Sequence, residues 1–146
     1  MKKKVKINLK NKQSYTDDNV DNVDIEQEAV LHKKRGKYYL LYRDFSEGLD
    51  GVRTVIKVDP EENMVNLQRS KPVQMRQTFR QGKRIDGVYK TAAGNFKIET
   101  GTESLYQEMG MKKGTIELKY KIYINGDLLT VNNLKIYYKE IDDIGE

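Results

Sequence analysis

Residues 116–138 read IELKYKIYINGDLLTVNNLKIYY, and this stretch decides the fold. Ile116, Leu118, Tyr120, Ile122 and Ile124 alternate with Glu117, Lys119, Lys121 and Tyr123. Successive side chains of a strand point to opposite faces, so this alternation buries one face and wets the other. Asn125-Gly126 follows, and a second run extends from Leu128 to Tyr138. Asn-Gly supplies the two positive-φ residues of a tight type I′ turn. The stretch therefore predicts a long antiparallel hairpin.

The same pattern recurs upstream. Val5, Ile7 and Leu9 alternate with lysines and Asn8 over a first strand, Lys3 to Lys12. An acidic loop follows over Thr16 to Asn22, then strands over Val23 to Lys34 and Lys37 to Phe45, broken at Gly36. After a loop at Ser46 to Asp50 the alternation resumes over Gly51 to Val58. Asp59-Pro60-Glu61-Glu62-Asn63 is a turn, because Pro fixes φ while Asp and Asn favour turn geometry. Met64 to Arg69 and Val73 to Arg80 form the next pair, with Pro72 at a strand start or edge because it lacks a ladder donor. Ile85 to Thr91 and Asn95 to Thr102 close around Ala93-Gly94. Leu105 to Lys113 alternates poorly and reads as an irregular loop or one helical turn. Nine or ten short strands at this spacing predict an all-β domain over residues 1–146. The favoured form is a single closed antiparallel up-and-down barrel, which leaves no exposed sheet edge.

Composition excludes several chemistries. With 146 residues the chain can bury a core without staples. It has no cysteine, so disulfides, thiolate catalysis and Cys-ligated zinc are ruled out. Met1-Lys2-Lys3-Lys4 is not followed by an apolar stretch, and no apolar run approaches the ~20 residues that span a bilayer. The expectation is a cytoplasmic protein with no membrane partner. Net charge is +5 but segregated: Asp17 to Glu28 holds six acids and no base, and Arg69 to Lys90 holds seven bases against Asp86. Such segregation can steer an anionic partner, though neighbouring strands of opposite sign also neutralise one another.

The central and C-terminal pattern resembles the YwiB-like family. The matching residues are Thr54-Val55-Ile56-Lys57-Val58, Arg69, Ser70, Val73, Met75, Phe79 and Gly82. They continue through Tyr89, Thr91, Gly94, Phe96, Thr100 and Thr102, then Gly114 to Tyr120, Asn132 and Tyr138. The resemblance is good over residues 37 to 140 and loose before them. It implies a single closed barrel of lipocalin-like, calycin-type fold in a cytosolic bacterial protein. It brings no activity.

Asp17, Asn19, Asp21 and Glu28 stand at EF-hand positions one, three, five and twelve, but Asn22 replaces the turn glycine and the flanks alternate like strands. An exposed loop is the better reading. His32 is the only histidine, and no Gly-x-Ser-x-Gly or phosphate-loop motif is present, so no metal and no cofactor are expected. Over 73–80, Val73, Met75, Gln77 and Phe79 share one face, and Gln74, Arg76, Thr78 and Arg80 the other. If the apolar residues face inward, Arg76 and Arg80 form an outer basic stripe, and Tyr89 offers a surface on which a base would stack. If a bulge reverses the facing, the arginines enter the lumen and hold a carboxylate or phosphate. Arg69 is the best single candidate to bind an ion in the lumen, against a structural salt bridge to Glu99 or Glu117. Tyr42 is among the strand tyrosines that can present a hydroxyl to a ligand, although core packing with a hydrogen-bonded tip is the commoner use.

The candidate ligand-binding set is thus Arg69, Tyr42, Tyr89, Arg76 and Arg80. The favoured function is non-catalytic binding of a small anionic or amphipathic molecule by a monomer or weak homodimer. The alternative is a nucleic-acid (RNA) or nucleotide-binding module using Arg35, Arg76, Arg80, Lys83 and Arg84. An enzyme pairing Arg69 with Glu99 or Glu103, and a scaffold with an exposed apolar patch, complete the set.

Overall fold

A computed structural model describes residues 1–45, 50–70 and 73–141. Ten strands form one closed antiparallel barrel in the order β1-β10-β9-β8-β7-β6-β5-β4-β3-β2. They are β1 (Lys2–Tyr15), β2 (Val20–Lys34), β3 (Lys37–Asp44), β4 (Val52–Asp59), β5 (Met64–Ser70), β6 (Gln74–Arg80), β7 (Arg84–Thr91), β8 (Gly94–Glu108), β9 (Lys113–Ile124) and β10 (Asp127–Glu140). Each strand pairs with the next in sequence, and β1 with β10 completes the ring. Among the described residues no helix is long and apolar enough to cross a membrane.

The deciding hairpin is β9–β10. Asn125 and Gly126 take φ 52° and 85°, and Ile124 faces Asp127 across the two-residue turn. Ile116, Leu118 and Tyr120 are buried while Lys119 and Lys121 are exposed, as period-two alternation requires.

Two expectations need correction. β8 continues to Glu108, so the stretch after Thr102 is neither loop nor helical turn. A register shift between Thr102 and Ser104 inserts one residue, so both Thr102 and Leu105 point inward. Such a bulge resets the alternation and hides a strand from a strict period-two reading. Likewise β1 runs on to Tyr15, and the acidic loop contracts to the turn after it. Asp21 and Asn22 already lie in β2, because β1 there pairs with β10 on one side and β2 on the other. Tertiary pairing overrides the weak strand propensity of Asn11, Gln13 and Asn22. The loop read at Ser46 to Asp50 and the place of Pro72 fall largely outside the described residues.

The core fills one half of the barrel. Val5, Ile7, Leu31, Leu40, Ile56, Val58, Ile116, Ile136 and Tyr138 are essentially inaccessible. Phe79 meets Tyr120 edge-on at 4.7 Å between ring centres, a favourable aromatic geometry. The link between β8 and β9 closes this end. Tyr138 Oη donates to Gly110 O at 2.7 Å and accepts from Gly110 N at 3.2 Å. Met109 and Met111 pack onto the core beside it. Gly114 is required there: a Cβ would fall on the Tyr138 ring.

Candidate functional site

The opposite end carries the turns β1–β2, β3–β4, β5–β6, β7–β8 and β9–β10, and there the barrel is hollow. A cavity of about 860 Å³ opens between them. Its walls include Leu9 and Asn11 on β1, Val23 and Ile25 on β2, Leu67 and Arg69 on β5, and Met75, Gln77 and Phe79 on β6. Tyr89, Ile98, Tyr120, Ile122 and Leu134 complete most of the lining. Gln13, Asp21, Asn22, Asp24, Asp44 and Thr130 add polar groups, so apolar and polar groups share the wall, as an amphipathic ligand would require.

One polar cluster of the lining centres on Arg69 and Asp44. Arg69 Nη2 donates to Asp44 Oδ2 at 3.2 Å, and both side chains are largely buried, at 18% and 3% exposure. Nη1 approaches the Met75 sulfur at 3.7 Å. Arg69 Nε, the Tyr42 hydroxyl, Asn11 Oδ1 and Thr102 Oγ1 are buried with no hydrogen-bond partner among the described residues. Each such group costs about 1–3 kcal/mol. Elsewhere the inner polar groups are satisfied: Gln77 Nε2 donates to Thr100 Oγ1 at 3.2 Å, and Asn132 Nδ2 to Thr130 Oγ1 at 2.9 Å. Burial pushes the Tyr42 phenol well above its ordinary range, against the opposing pull of Arg69. Burial likewise raises Tyr120 to about 12, again with Arg69 pulling the other way. Arg69 thus acts on both phenols, and all three residues belong to one neighbourhood.

The sequence candidates divide between the two faces of the wall. Arg69 and Tyr89 line the cavity, and Tyr42 lies beside Arg69 inside the barrel. Arg76 and Arg80 point outward, because β6 pairs with β5 without any register shift and the bulge that would turn them inward is absent. Arg80 is tied to Glu62 at 3.0 Å. Tyr89 faces the cavity, not the outer basic stripe, so it offers no stacking surface next to Arg76 and Arg80. The partner of Arg69 is Asp44; Glu99 instead holds Arg84 at 3.0 Å on the outside, and Arg84 stacks on Tyr123. Glu103 and Glu117 lie on the bulge and on β9.

The EF-hand-like residues do not converge. Asp17 closes a local turn by accepting from Asn19 N at 3.1 Å, whereas Asp21 and Glu28 lie in β2, about 23 Å apart along an extended strand. His32 packs obliquely against Tyr39. The sequence reading missed Asp44; it placed Met75, Gln77 and Ile122 on inward faces without singling them out as site residues. Asp44 had a signal, since it continues the inward phase of Tyr38, Leu40 and Tyr42. A lone acid at a strand end gives no sign of its partner.

Residues 7–136 match a family described as a domain of unknown function, DUF1934. Among solved structures, the chain is similar to the crystal structure of ywiB protein from Bacillus subtilis. The two share 25% identity at a TM-score of 0.84, over 97% of this chain and 94% of that one. No curated protein matches the sequence.

Proposed function

The chain belongs to the DUF1934 family, the YwiB-like proteins, and we propose that it holds one small amphipathic molecule, without catalysis, in the open half of its barrel. The observation that carries this reading is the cavity of about 860 Å³, with Arg69, whose Nε has no hydrogen-bond partner among the described residues, in its wall. Small barrels filled with side chains end to end leave no such space. A ligand presenting a hydrogen-bond acceptor to Arg69, with an apolar body over Met75, Phe79 and Ile122, would relieve the orphaned Nε donor.

The lining weighs against a strongly anionic ligand. Among the described residues it contains Asp21, Asp24 and Asp44 against Arg69 as the one fixed positive charge, and Asp44 already pairs with that guanidinium. The amphipathic half of the expectation is therefore the better supported. The RNA reading is weakened on the outer face, where Arg80 and Arg84 are paired with Glu62 and Glu99, and Lys97 with Asp86. Native mass spectrometry of protein purified under mild conditions tests the proposal. The expected result is a small-mass adduct that is lost on denaturation. A bare protein mass, together with no binding of a neutral apolar fluorophore such as N-phenylnaphthylamine, would overturn it.

A further inference from the structure

The barrel wall parts between β2 and β3. Their ladder begins at Lys34↔Lys37 and stops at Val30↔Leu41. Continued in the same register, it would set Ala29 against Tyr42, Glu28 against Arg43 and Gln27 against Asp44. Those pairs do not form. Instead the Gln27 side chain spans the gap, its Nε2 donating to Arg43 O at 2.6 Å. β2 nonetheless stays extended back to Val20, held by β1 along its other edge. Among the described residues, Val20 to Ala29 therefore present one edge of the strand without a ladder partner, over about 33 Å. Asp21 to Ile25 of this edge also line the cavity.

An unpaired edge is a template for another strand, and proteins commonly guard it with charge. Here the guard has one sign: Asp21, Asp24, Glu26 and Glu28. The same strand shows what it accepts. On its paired edge lies β1, where Val5, Ile7 and Leu9 point inward and Lys4, Lys6 and Lys10 outward. Lys10 faces Asp24 in register, and Lys6 Nζ meets Glu26 at 2.6 Å. A strand with the β1 pattern thus satisfies the outer acids of β2 with lysines while its apolar residues continue the inner row of Val23 and Ile25.

We infer that the edge of β2 from Val20 to Glu26, unpaired among the described residues, is a docking site for an extended, basic segment of a partner protein, in which Lys or Arg alternates with apolar residues and which adds as a strand there. A second copy of this chain is disfavoured on two counts. Edge-to-edge pairing of β2 with itself would juxtapose like charges, and the chain's own basic strand is already paired on both sides.

The test uses a capped ten-residue peptide alternating lysine with valine and isoleucine, added to the ¹⁵N-labelled full chain. The expected result is saturable binding with amide shift changes concentrated on β2, from Val20 to Glu26. An otherwise identical peptide N-methylated at alternate residues cannot form the ladder and should bind at least tenfold more weakly. The Asp24→Asn/Glu26→Gln double variant should also lose at least tenfold. Its fold is expected to survive, because the Lys6–Glu26 pair is solvent-exposed and exposed pairs add little stability. Absence of binding, equal binding of the methylated peptide, or shift changes away from β2 would each overturn the inference. None of these outcomes bears on the cavity, whose adduct is read separately.

Discussion

The two ends of this barrel are built from the same ten strands and the same alternation, yet one is solid and the other hollow. At the closed end, inward positions carry Ile, Val, Leu and Tyr138, and a loop is pinned across the opening by hydrogen bonds to Gly110. At the open end, inward positions carry Asn11, Gln13, Asp21, Arg69 and Gln77 among smaller apolar patches. Apolar side chains pack to the density of organic crystals and stabilise by burial. Polar side chains inside a barrel must find partners, and here several do not. The difference teaches that stability in this fold is concentrated in one half, leaving the other free to retain space.

The sharpest way to break that comparison is a pair of equal truncations. Ile116→Ala, in the closed half, should cost about 2–5 kcal/mol, the range for cavity-forming core substitutions. Ile122→Ala, at the half-buried wall of the cavity, should cost no more than about 1 kcal/mol, because less surface is lost. Urea denaturation of both variants decides it, and equal losses would show that the open half is packed after all.

Next in size is Arg69→Met. It removes one partner of a buried pair and leaves Asp44 without its guanidinium, for an expected loss of about 3 kcal/mol. Thermal unfolding measures it. A loss below about 0.5 kcal/mol would mean that the pair behaves as a surface contact.

Alkaline titration sharpens the view of the boundary between the halves. Burial raises the folded-state pKa of Tyr120 to about 12, whereas an unfolded phenol titrates near about 10. The folded state therefore holds this proton longer. The stability it contributes is complete below about pH 10 and is lost as pH rises through about 12. Melting temperature should fall across that window, and Tyr120→Phe should fall less steeply. Tyrosinate absorbance near 295 nm provides the independent readout.

The smallest expected effect on stability belongs to Ile122→Trp, which fills the cavity from its wall. Stability should change by less than about 1.5 kcal/mol, since empty space is available, while the small-mass adduct and uptake of the apolar fluorophore should disappear. Retention of either would move the ligand site away from this wall.

The sequence alone determined the strands, because period-two burial and Asn-Gly turn chemistry are local properties written in adjacent residues. It also determined the closed up-and-down barrel, since every strand follows its neighbour through a short turn. It pointed to Arg69 as an inner residue and, through the phase of Met75 and Phe79, put Arg76 and Arg80 outside once β6 was known to run without a bulge, whereas it set Tyr89 beside that outer stripe and only the structure turned it to the cavity. What only the tertiary structure decided depends on non-local distances. The bulge at Glu103 carried β8 past its apparent end, because an inserted residue erases the very periodicity used to see a strand. The partner of Arg69 proved to be Asp44, a choice set by which strands lie adjacent. The parting of β2 from β3 and the hollow half exist only where strands diverge and polar side chains fail to fill a volume. Volume is a property of the assembled barrel, not of any one strand.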